Sequence, residues 1–299
     1  MARASRRNPR PGAAFTFIEA ICRPLLVVLV KRDWRGMQNV PREGGVIVVA
    51  NHYSFFDPIS LGHFLVKAKR TPRFLAKAGV FKAPMLGRLF RSAGQIPVYR
   101  ESRDAALAFK DALAAVERGE TIIVYPEGTM TKDPGLWPMA GKTGAARIAM
   151  RTGAPVLPIA QWGAQEVFAS YSKKPDFLPR KTLKVTAGEP IDLRARYGPE
   201  MTSEALRAAT EHLMDVITGM LAEIRGEQPP AVRFDPEAAA PQQAPVPAQP
   251  EPVQAEQAHA EPAQPEPVQP EPVQAESAHA EPAPPGPAQP AATEPGAQA

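Results

Sequence analysis

The chain has 299 residues and a formal net charge of +4, room for one ordinary domain plus an appendage. Its single cysteine, Cys22, excludes a disulfide framework and a cysteine-rich zinc site. From Pro236 onward the sequence is almost entirely Pro, Ala, Glu, Gln and Val; it holds 17 of the 36 prolines, no Lys or Arg, and the repeated hexapeptide EPVQAE at 251–256 and 271–276. Such a segment cannot recover its ordering entropy in a core and reads as a disordered, polyproline-like tail over 229–299. Nine of the 31 acidic residues lie there, so residues 1–235 carry 35 Lys and Arg against 22 Asp and Glu. A domain that basic expects an anionic partner.

The first residues are basic (Arg3, Arg6, Arg7, Arg10), and an apolar stretch over 13–30 follows, interrupted by Glu19 and Arg23 and closed by Lys31 and Arg32. Its uninterrupted run is too short to span a bilayer, and no small-residue cleavage site follows it. The pattern predicts a basic, amphipathic membrane-contact segment over 1–35. Phe15, Phe17, Ile18, Ile21 and Leu25 would enter the acyl region, with Trp34 at the boundary.

A domain over 36–228 follows, in which strand-like and helix-like runs alternate. Strands are predicted at 46–50, 73–78, 95–99, 121–125, 155–162 and 181–187. Helices are predicted at 102–118, with Ala106, Phe109, Leu113 and Val116 inward, at 141–150, and at 202–225. The alternation means an α/β fold with a central mixed sheet flanked by helices.

Four loop positions carry chemistry. Asn51-His52-Tyr53-Ser54-Phe55-Phe56-Asp57 follows the first buried strand, where α/β folds place active residues. His52 can serve as general base, and Asp57 can accept its other ring N–H, fixing the tautomer. Gly94-Gln95-Ile96-Pro97-Val98-Tyr99-Arg100 ends in a guanidinium suited to phosphate. Val124-Tyr125-Pro126-Glu127-Gly128-Thr129 ends a strand in a turn with a carboxylate, a permissive glycine and a hydroxyl. Gly153-Ala154-Pro155-Val156-Leu157-Pro158-Ile159-Ala160 is a Pro-bounded packing strand, with Lys142 ahead of it adding charge near the site. Taken singly, each also fits a plain structural role: Asp57 as a helix cap, Glu127-Gly128 as a turn, Arg100 as a paired surface cation.

Taken together and in order, NHYSFFD, GQIPVYR, VYPEGT and APVLPI resemble the four motifs of the glycerolipid acyltransferase family that includes 1-acyl-sn-glycerol-3-phosphate acyltransferase. The resemblance covers about residues 38–188. It implies an O-acyltransferase that moves a fatty acyl group from acyl-CoA or an acyl carrier protein to the free hydroxyl of 1-acylglycerol-3-phosphate, giving phosphatidic acid. It places the enzyme at the cytoplasmic face of the cell membrane, peripheral or monotopic, with no cofactor besides the thioester co-substrate. By matching motifs it assigns His52 and Asp57 to catalysis, Arg100 to phosphate, and Glu127 and Gly128 to substrate; Lys77 matches a further family lysine. The residues themselves add Asn51, Thr129, Lys132 and Lys142 as substrate contacts. Many members carry Arg or Ser after Glu-Gly-Thr, whereas this chain has Met130, Thr131 and Lys132. Another lysolipid or glycolipid acceptor is the alternative within the family, and a non-catalytic membrane module the alternative outside it. Nucleic acid is not expected, because the aromatics do not interleave with the basic residues.

Overall fold

In the computed structural model, residues 9–98, 104–169 and 174–236 are described. Helix α1 (Ala13–Leu29) leads into strand β1 (Lys31–Arg35). Then come β2 (Val46–Ala50), α2 (Asp57–Lys67), β3 (Pro72–Lys77), α3 (Pro84–Ser92), β4 (Ile96–Val98) and α4 (Asp104–Glu117). The chain continues through β5 (Thr121–Val124), α5 (Gly144–Thr152), β6 (Val156–Trp162), α6 (Ala164–Val167), β7 (Thr182–Ala187), α7 (Leu193–Tyr197) and α8 (Ser203–Arg225). These elements build one seven-stranded sheet in the order β1-β7-β6-β2-β5-β3-β4. Strands β6, β2, β5, β3 and β4 run parallel, β7 is antiparallel to β6, and β1 is parallel to β7. The sheet is mixed, as the alternation predicts.

The strands sort by burial. All five residues of β2 are buried, as a continuous Val-Ile-Val-Val-Ala run requires, since helices cover both sheet faces. Strand β7 alternates half-buried and buried residues, matching its exposed position next to the edge. Helix α8 begins at Thr202, whose side chain accepts from Ala205 N at 3.1 Å, and ends at Gly226 in the left-handed region at φ 68°. Its Leu206, Leu213, Ile217 and Leu221 are buried.

Four expectations are corrected. Residues 31–35 are a sheet strand, and Trp34 packs edge-on against His63 and Phe64, 4.9 and 5.7 Å between centroids, rather than at a membrane boundary. On α1 Phe15 is buried and Ile18 half-buried, leaving Phe17, Ile21, Leu25 and Val28 as the exposed apolar stripe. On α4 Ala106 is exposed, while Phe109, Leu113 and Val116 pack on the core as expected, joined by the buried Ala108, Ala112 and Ala115. The cause is close packing against α5, itself lined with Ala145, Ala146 and Ala149: small side chains let the two helices approach. Finally, the domain does not stop at 228, because Phe234 O accepts from Ala140 N at 3.0 Å and Arg233 pairs with Glu211 and Asp215 of α8.

Candidate active site

The parallel strands β2 and β5 are neighbours at the centre of the sheet, so the loops leaving their C-terminal ends emerge side by side. The loop after β2 carries His52 and runs into Asp57, the first residue of α2, with Pro58 holding the first turn. Asp57 Oδ2 accepts from Tyr53 N at 2.7 Å and Ser54 N at 2.8 Å and lies 2.9 Å from His52 Nδ1. The carboxyl group is fully buried, and burial pushes its pKa above the ordinary aspartate value while the His52, Ser54 and Tyr53 hydrogen bonds oppose the rise. With Nδ1–H donated to Asp57, Nε2 carries the lone pair, and the imidazole side chain keeps 17% of its surface exposed.

The loop after β5 grips the His52 backbone. Glu127 Oε1 accepts from His52 N at 3.0 Å, its Oε2 accepts from Met139 N at 3.0 Å, and Thr131 N donates to His52 O at 2.6 Å. Glu127 is itself buried, and that burial pushes its carboxyl up to about 8 against the two backbone N–H donors. The Tyr125 ring stacks on the imidazole, 4.2 Å between centroids and 19° between planes. Gly128 takes φ +71°, a left-handed value that its missing Cβ permits, and donates its N–H to Tyr125 O at 2.9 Å. A Cβ there would stand 3.5 Å from Lys142 Cδ, so the Lys142 stem lies over this turn.

His52 and Asp57 are thus brought together, and Gly128, Thr129 and Lys142 stand beside them on the adjoining loop. Two expected substrate contacts are otherwise engaged. Both Glu127 oxygens hold backbone, and Asn51 is buried with its amide paired to Gln161 in both directions at 3.0 and 2.9 Å. Gln161 Nε2 also donates to Asn51 O at 2.9 Å, fastening the His52 loop to β6. Lys77 is exposed at the C-terminal end of β3, two strands from β2, and Lys132 is exposed on the loop after Thr131. Met130 is buried. Arg100 lies outside the described residues. Sequence reasoning missed Gln161, although a glutamine inside an otherwise apolar strand was the available signal, and it read Tyr125 only as the end of a strand. Among the described residues no three His, Cys, Asp or Glu side chains gather as metal ligands.

A buried carboxylate, an imidazole oriented by it, and an Nε2 unpartnered among the described residues, at the C-terminal edge of a parallel sheet, form an arrangement that can act as a general base toward a hydroxyl. Residues 31–162 match the family model described as Acyltransferase. A 1-acyl-sn-glycerol-3-phosphate acyltransferase of Brassica napus chloroplasts is 32% identical over 48% of this chain and 40% of its own length. One from Bacillus subtilis is 26% identical over 59% of this chain and 81% of its own length. The crystal structure of the 1-acyl-sn-glycerophosphate acyltransferase of Thermotoga maritima superposes with a TM-score of 0.56 at 26% identity, covering 72% of this chain and 81% of that one. The chain spans less than half the length of the chloroplast relatives, which include a second one from Arabidopsis thaliana at 44%.

Proposed function

We propose that this protein transfers a fatty acyl group from an acyl thioester to the free hydroxyl of 1-acylglycerol-3-phosphate, giving phosphatidic acid. The observation that carries the reading is the 2.9 Å His52 Nδ1–Asp57 Oδ2 contact, with Nε2 unpartnered among the described residues. In this reading Nε2 takes the hydroxyl proton as the acceptor oxygen attacks the thioester carbonyl. The buried Asp57 carboxylate stabilises the imidazolium, the C–S bond breaks, and the thiolate of acyl-CoA or acyl carrier protein leaves with that proton. The sequence has no Gly-x-Ser-x-Gly elbow for a covalent serine route, which favours direct transfer.

Lys142, whose stem crosses Gly128, is the cation best placed for the acceptor phosphate. Lys132, Lys77 and, by motif, Arg100 are further candidates. The Asn51 amide and the Gly128 N–H are already engaged, and the Thr129 hydroxyl is a donor of that turn for a tetrahedral oxyanion. No described helix is long and apolar enough to cross a membrane. The stripe of Phe17, Ile21, Leu25 and Val28 on α1 supports peripheral docking on a lipid surface, at the cytoplasmic face where the thioester is supplied.

Burial of Met130 supports a second reading, because that position offers no surface cation to a phosphate. A different lysolipid or glycolipid acceptor would then be the substrate. Labelled acyl-CoA offered with a panel of lysolipids on liposomes, wild type beside His52→Ala, separates the two. Phosphatidic acid from lysophosphatidic acid, abolished by His52→Ala, is the expected result. Product only from a phosphate-free lysolipid would move the assignment to the second acceptor class, and a His52→Ala variant near wild-type turnover would sink the mechanism.

A further inference from the structure

Transfer as described uses the two nitrogens of His52 and the carboxylate of Asp57, and leaves the Tyr125 ring without a role. That ring lies nearly parallel to the imidazole, 4.2 Å between centroids. Its own backbone is well fixed: Val124 pairs with Val49 in the sheet, and Tyr125 O accepts from Gly128 N at 2.9 Å. Its hydroxyl is buried beside Gln161 without a well-formed hydrogen bond, so the polar end of this side chain gains little from where it sits. The flat face alone matches a partner.

We propose that Tyr125 is a positioning residue for His52, its aromatic face holding the imidazole in the orientation that aims Nε2 at the acceptor hydroxyl and stabilising the imidazolium as it forms. The inference rests on the acyl-transfer reading and extends it. The bond to Asp57 fixes one edge of the imidazole but leaves the ring free to tilt about that bond, and a stacked face removes this freedom. A cation over the face of a tyrosine within about 6 Å is attracted to the ring quadrupole, and most strongly where water is excluded. The ionisable groups around the imidazole are the Asp57 carboxyl from α2, with the Tyr53 phenol in electrostatic reach of that carboxyl, and Tyr125 and Glu127 from the loop after β5, Glu127 through the His52 backbone. None of the others presents a flat face to it in the described contacts.

The test compares wild type with Tyr125→Phe and Tyr125→Leu, with Tyr125→Met as a second non-aromatic variant should Leu fail to fold. kcat and KM are measured with acyl-CoA and lysophosphatidic acid, and the His52 ring-proton chemical shifts are measured without substrate. Tyr125→Phe keeps kcat within about twofold, because only a hydroxyl in weak contact with Gln161 is lost. Tyr125→Leu lowers kcat about tenfold with KM little changed, and its His52 ring protons move downfield as the ring current disappears. A folded non-aromatic variant with wild-type kcat overturns the proposal. So does a Phe variant as impaired as Leu, which would transfer the role to the hydroxyl. If wild type turns over no acceptor, the acyl-transfer reading fails, and the shifts then decide the stack on their own: equal shifts in wild type and Tyr125→Leu overturn it.

Discussion

Glu127 joins the two site loops through a carboxyl group that burial pushes up to about 8 from an ordinary value of 4.5, and this sets a sign for stability against pH. A raised carboxyl pKa means that the folded chain keeps a proton which the unfolded chain releases, so this contribution falls as pH rises from about 4.5 to about 8. Buried His63 works in the opposite sense. Burial, with Arg32 and Arg23 near, holds it down at about 4 from 6.5, so its contribution grows as pH rises between those values. Above pH 6.5 His63 is silent and Glu127 remains. The unfolding midpoint in denaturant is expected to decline between pH 6.5 and 8, with the decline flattened in Glu127→Gln. An equal slope in both proteins would contradict the assignment. Asp57 shows why part of this site was legible beforehand: a carboxylate five residues after a histidine, at a strand end, encodes its own geometry. Glu127 shows why the rest was not. Nothing in Pro-Glu-Gly-Thr says that both oxygens will meet backbone N–H groups 75 and 12 residues away in sequence.

Helix α1 separates two kinds of apolar residue that its sequence does not distinguish. Leu26 is buried in a cluster with Val30, Tyr53 and Phe56, and the Arg180 guanidinium donates to Val27 O and Val30 O and closes the helix end. Phe17, Ile21, Leu25 and Val28 face outward at helical spacing, Phe17 and Val28 with 62% and 68% of their surface exposed. Ile21→Ser with Leu25→Ser is expected to lower partitioning onto anionic liposomes about tenfold or more without moving the thermal midpoint. Leu26→Ala removes about 2–3 kcal/mol of stability with little effect on liposome binding. Equal behaviour of the two variants in both assays would remove the case for a membrane face. At this scale periodicity found α1, α4 and α8, and placed Phe109, Leu113 and Val116 of α4 inward, but it missed the buried Ala112 and Ala115, because the pattern weighs side-chain size whereas the α4–α5 contact selects alanine. The charged β1 was missed altogether, since an edge strand of Lys-Arg-Asp-Trp-Arg carries no apolar alternation for its pairing with β7 to be read from.

For the whole molecule, the loop that grips His52 is in turn fastened by residues far beyond the matched family segment. Arg225, at the end of α8, lies 4.0 Å from the Trp137 ring centroid and 4.4 Å from that of Trp162, and donates to Gly135 O at 2.7 Å. Its side chain is only 8% exposed and is also paired with Glu227. Two cation–π contacts and a backbone hydrogen bond make Arg225→Ala worth about 2–3 kcal/mol of stability. Because Thr131 and Met139 flank the clamped residues, kcat should fall with it; unchanged kcat would show that the clamp stabilises the fold without shaping the site. This dependence was not legible in the sequence, where Trp137 and Arg225 stand 88 residues apart with no shared motif.

The same clamp gives the protein an optical gauge. Trp137 and Trp162 are two of its three tryptophans, and the third, Trp34, is packed elsewhere against His63 and Phe64. Intrinsic emission therefore reports chiefly on whether the end of α8 is seated. A red shift at a denaturant concentration below the loss of helical signal would show that the grip on His52 releases before the sheet melts.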